Sequence, residues 1–157
     1  MMTLKKQLHN NAVALISLFI AVSSLAYNTW RNEKTEEQRN IRHAAFRVLE
    51  NLGELQQVVD YRYYYLPFNA DAQREGELRL RGFGSAAMIH DLMMLMPGPA
   101  PLASEALYGL WNTEFVRLDE LDQSGDHSGA AQRAEQSLTR AIRDARKAVL
   151  QVLGELD

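Results

Sequence analysis

The sequence predicts an all-α protein in which an N-terminal transmembrane helix continues through a helical stalk into an antiparallel, up-down-up-down four-helix bundle. Three observations carry that expectation. The stretch from Asn10 to Trp30 has no charged residue, the later segments repeat apolar residues at steps of three and four, and no segment sustains strand alternation. The expected organisation is a short tail over 1–11, a transmembrane signal anchor over 12–30, a helical stalk over 31–40 and the bundle over 41–157.

The apolar run Ala12 to Tyr27 comes first. With its uncharged flanks it is long enough to cross a bilayer core as a helix, which takes roughly 20 residues. Tyr27 and Trp30, followed by Arg31, fit the interfacial belt where amphipathic rings settle at the headgroup level. Lys5 and Lys6 before a short apolar core also describe a secretory signal peptide, and Ser24-Leu25-Ala26 offers small residues for cleavage. Against cleavage, no Pro or Gly interrupts Leu15 to Leu52, so a retained anchor is the expectation. Positive residues stand on both sides: Lys5 and Lys6 on one, Arg31, Lys34, Arg39 and Arg42 on the other. Long domains translocate largely regardless of charge, while a double lysine in a short tail resists it. The expected topology is therefore a single pass through the inner (cytoplasmic) membrane, N-terminus inside and bundle in the periplasm, with a cytoplasmic bundle as the alternative.

The stalk Arg31 to Asn40 is almost wholly polar, carries both charge signs at helical spacing and lacks a breaker. At Ile41 a packed seam begins: Ile41, Ala45, Val48, Leu52, Leu55 and Val59 alternate at steps of four and three. The second helix leaves Pro67-Phe68-Asn69, runs from about Asp71 to Met96 and stops at Pro97-Gly98-Pro99. A third starts with Pro101 in its first turn, carries Leu107, Trp111, Phe115, Leu118 and Leu121, and ends near Gln123-Ser124-Gly125. The last begins near Ser128 with Leu138, Ile142, Ala145, Val149 and Val152 on one stripe. Leu52, Leu55, Leu118, Ile142 and Val149 are expected to be buried together. Short links between such helices favour antiparallel neighbours.

The first helix from Trp30 to Tyr65 measures about 50 Å at 1.5 Å per residue, against about 40 Å for the second and 30 Å for the third. The surplus matches an unpaired stalk and places Tyr61, Arg62, Tyr63, Tyr64 and Tyr65 at the membrane-distal tip. Tyrosine and arginine are enriched at interaction hot spots. Because neighbours on a helix are about 100 degrees apart, at least one ring should be exposed, and the tip is the expected partner or ligand surface. The competing reading is that these rings cap the core.

Other features point away from chemistry. Met88, His90, Met93, Met94 and Met96 supply thioether and imidazole groups suited to cuprous copper, but on a helix the methionines diverge, so a soft packing or docking surface is expected instead. Gly82 and Ala86, one turn apart, allow close helix approach, with the alanine-rich last helix as the expected neighbour. No Glu-x-x-His pair, zinc-protease spacing or phosphate loop is present. Asp122, Ser124 and Asp126 resemble a calcium loop without its final glutamate, and a helix C-cap at Gly125 with an N-cap at Asp126 or Ser128 fits better. A net charge of -3 gives no signal for nucleic acid, and the lack of cysteine excludes disulfides and thiolate chemistry. No cofactor, metal or catalytic residue is expected.

The stretch Tyr27-Asn28-Thr29-Trp30-Arg31-Asn32-Glu33, with Arg39-Asn40 and Leu52-Gly53-Glu54-Leu55-Gln56, resembles the start of uncharacterised bacterial proteins that have one membrane helix and a helical soluble part. The resemblance covers the first third of the chain and implies no activity. The four-helix plan is similar to the extracytoplasmic sensing domains of chemoreceptors, which add a second membrane helix and a cytoplasmic output module; Leu150 to Asp157 is too short for a second crossing. The functional expectation is a non-enzymatic, membrane-anchored interaction or accessory module that contacts the bilayer and a protein partner or another copy of itself. The alternative is a small-ligand-binding sensor domain that signals through a separate membrane protein.

Overall fold

The computed structural model describes residues 11–69 and 71–156. The tail over 1–10, with Lys5 and Lys6, lies outside the described residues. The described residues are mostly helical and form no strand. Helix α1 spans Ala12–Asp60 and runs into a π-helical turn, Tyr61–Tyr65, and a 3-10 turn, Leu66–Phe68. Helix α2 is Ala72–Met94 and α3 is Ala100–Glu114, which tightens into a 3-10 turn at Phe115–Arg117; α4 is Gly129–Gly154. The chain falls into two compact units, 1–40 and 41–157.

In the first unit, α1 forms because nothing breaks it. No Gly or Pro occurs between Ala12 and Leu52, and polar residues after Trp30 support the helix locally, as when the Thr35 hydroxyl donates to the Arg31 carbonyl. Arg39 and Glu36 pair one turn apart. Near its start α1 is long and apolar enough to cross a membrane by length and composition, and none of that apolar window is buried.

The second unit is organised around one buried cluster. Helix α1 contributes Ala45, Val48, Leu52, Leu55 and Val59, the seam read from the sequence, and α4 contributes Leu138, Ile142, Ala145, Val149 and Val152. Leu78, Ile89 and Met93 enter from α2, Leu107 and Trp111 from α3, and Phe115 and Leu118 from the segment that follows. Leu52, Leu55, Leu118, Ile142 and Val149 share this cluster, as the stripes require. Helices α1 and α4 run in opposite directions here: Arg42 donates to the Leu156 carbonyl at 2.8 Å, and Gln56 donates to the Thr139 hydroxyl at 3.0 Å. Asp71 caps α2 by accepting from the Arg74 amide, and Ser128 caps α4 by accepting from the Ala131 amide, both at 3.0 Å. The Pro97-Gly98-Pro99 break holds Gly98 at φ +65°, where a side chain would be strained.

Two expectations are corrected. Gly82 does not face the alanines of α4. A Cβ built there would lie 2.5 Å from Trp111 Cζ2 and 3.2 Å from Val58, so the glycine makes room for the indole of α3. Nor does α3 reach Gly125. After Phe115 the chain leaves the helix and residues 120–128 fold back on themselves, with the Asp122 amide bonded to the Asp126 carbonyl and the Ser128 amide to the Glu120 carbonyl. Gly125 turns this hairpin at φ +84° rather than ending a helix.

Candidate interaction surface at the Tyr61–Tyr65 turn

The π turn follows directly on the core seam and continues it with two consecutive buried side chains. Arg62 lies three residues after Val59 and Tyr63 four after it; the two are 3% and 9% exposed. Both were expected on an exposed recognition surface, and the structure places both inside. The Arg62 guanidinium lies over the Phe115 ring, 4.4 Å from its centroid, and its Nη2 pairs with Asp119 at 2.9 Å and with Glu75 at 3.7 Å. Taking a guanidinium out of water costs several kcal/mol, which these contacts offset. Nε and Nη1 of Arg62 and Nε1 of Trp111 are buried with no hydrogen-bond partner among the described residues.

Tyr63 stacks on His127, with centroids 3.9 Å apart and planes 12° from parallel, and Phe68 meets the same imidazole edge-on. The hairpin after Leu118 therefore serves as the lid that closes this end of the core. Asp122 is spent on that hairpin, accepting from the amides of Ser124 and Asp126, which accounts for the three residues that resemble a calcium loop. Burial raises the Tyr63 phenol above its ordinary value, and the negative charge of Glu135 raises it further. The unfolded chain then ionises first, so the stability this phenol contributes is intact below about pH 10 and falls as pH rises towards its folded value. Urea unfolding from pH 8 to 11 should show that decline, and Tyr63→Phe should flatten it; an equal decline in both proteins assigns the effect to other groups.

Tyr64, 62% exposed, and Tyr65 remain on the outside, with Tyr61 between the two environments. Tyr61 packs against Tyr65 and beneath the Arg74 guanidinium, and Tyr64 meets Tyr63 edge-on. The exposed aromatic surface thus consists of Tyr64, Tyr65 and Phe68, without the arginine. Tyr64→Ser and Tyr65→Ser should each change unfolding stability by no more than about 0.5 kcal/mol, as surface substitutions do. A thermal shift beyond that would make them part of the core cap.

The remaining predicted residues fall as follows. Tyr27, Trp30 and Arg31 are exposed on α1, the two rings 6.1 Å apart. Of the methionine-rich run, Met93 and Met96 are buried and Met88 and Met94 exposed, while His90 lies against Tyr108, so the sulfurs do not converge. Among the described residues no group of three or more His, Cys, Asp and Glu side chains is placed to hold a metal ion. The buried Arg62–Asp119 pair escaped sequence reasoning, although Arg62 continues the Leu55–Val59 spacing and could have been read as inward-facing. No known protein family, curated protein or solved structure matches the chain.

Proposed function

We propose that this chain is a membrane-anchored, non-enzymatic accessory module. The apolar part of α1 crosses the inner membrane with the N-terminus inside, and the helical domain stands in the periplasm, a cytoplasmic position being the alternative. There the four helices form an antiparallel up-down-up-down bundle that engages a protein partner or a second copy. The observation that carries this reading is the apolar window of α1, none of which is buried against the chain's own residues. A contiguous apolar surface of that length is disfavoured in water and favoured in lipid. Tyr64, Tyr65 and Phe68 supply rigid, exposed rings of the kind that anchor protein contacts. A second reading is a small-ligand-binding sensor domain that signals through a separate membrane protein.

Extraction of the full chain from membranes in mild detergent, followed by native mass spectrometry, tests the choice. A stoichiometric protein partner or a homodimer, lost on Tyr64→Ser, supports the interaction module. A monomer that retains a small molecule supports the sensor domain.

A further inference from the structure

We propose that the groove between α1 and α4 binds an acidic peptide segment of a protein partner, with Arg143 and Arg146 receiving its carboxylates. This deepens the interaction-module reading and rests on it for the presence of a partner. The groove is lined by Gln56, Thr139, Ile142, Arg143 and Arg146 and has a volume of about 360 Å³. Its position is fixed by the hydrogen bond from Gln56 to Thr139, which holds the two helices in register.

Two observations point to this occupant. Arg140, Arg143 and Arg146 are exposed and make no ion pair among the described residues, on a chain whose net charge is negative. The floor of the groove is Ile142, only 3% exposed, and the Gln56 amide at its side donates to the Asp60 carboxylate and the Thr139 hydroxyl. A phosphate backbone or a headgroup plane has no use for that floor, whereas a peptide presents an apolar side chain next to its carboxylates. Glu135 lines the adjoining groove with Thr139, Arg140 and Arg143 and accepts from the Thr139 hydroxyl, so its charge directs an acidic group away from that end and towards Arg146. Guanidinium forks pair with carboxylates in bidentate geometry, which gives the site orientation as well as charge.

The test uses the purified full chain in neutral phosphatidylcholine nanodiscs and a fluorescent Glu-Leu-Glu-Glu-Leu-Glu peptide as probe. Binding should be saturable and salt-sensitive, and Arg143→Glu or Arg146→Glu should weaken it at least tenfold. Arg133→Glu, which changes the chain's charge equally outside the groove, should leave it within twofold, and Ile142→Ser should reduce it if the variant keeps its near-UV circular dichroism. The proposal is overturned by absence of peptide binding, by equal losses in all three arginine variants, or by a response to Arg143→Glu seen only with phosphatidylglycerol vesicles, which would assign the arginines to lipid. Loss of membrane association by the chain would defeat the anchoring reading and leave the peptide measurement standing.

Discussion

Asp119→Ala should lower the unfolding free energy by about 3 kcal/mol, towards the lower end of the 3–5 kcal/mol typical of broken buried pairs, because the Asp119 carboxylate is partly exposed. The alanine leaves the Arg62 guanidinium buried over Phe115 with only the more distant Glu75 to balance it. A domain of this size is stable by about 5–15 kcal/mol in total, so the loss is a large fraction of it. The reverse replacement should be milder. Arg62→Met keeps much of the volume and leaves acids that can still reach water, and it should cost less than about 1.5 kcal/mol, as volume-conserving replacement of buried charge often does. Urea denaturation of the two variants decides the matter, and equal losses would show that Arg62 acts through packing rather than through its charge.

Trp111→Ala should cost about 3–5 kcal/mol, since the indole is fully buried and packed against Phe83 and Phe115. Its seat depends on a missing methyl group. In an ordinary helix interior Gly→Ala gains roughly 0.5–1 kcal/mol, but at Gly82 the added carbon meets the rigid indole and should instead cost about 1–3 kcal/mol. The two effects are coupled, so Gly82→Ala introduced into the Trp111→Ala protein should be neutral or stabilising. A double-mutant cycle by thermal unfolding measures that coupling. Additive losses would mean that Gly82 matters for some reason other than the indole.

These two sites mark where sequence reasoning succeeds and where it stops. The seam from Ile41 to Val59 and the stripe from Leu138 to Val152 were legible because helical period and burial coincide there, and of the two N-cap candidates Asp126 and Ser128 it is Ser128 that starts the last helix. The early end of α3 was not legible: Leu118 and Leu121 keep helical spacing although the backbone has already turned into the hairpin, where Asp122 competes for the amides a helix would need. At the Tyr61–Tyr65 turn, the 100-degree argument required an exposed ring, and Tyr64 is one. That argument does not choose the inward residues, but the seam does: Arg62 and Tyr63, three and four residues after Val59, continue it and are buried. The acid that makes a buried arginine tolerable, Asp119, lies across the fold, and no local pattern connects the two. Likewise the indole that needs Gly82 sits on another helix, so the glycine was assigned the wrong neighbour.

Membrane anchoring through α1 is the claim on which the functional reading depends, and alkaline carbonate extraction of cell membranes followed by intact-mass measurement tests it most directly. The account predicts that the chain stays in the pellet until detergent is added and that its mass includes Met1 to Trp30. Release of the chain by carbonate, or a mass that begins at Tyr27, would contradict it.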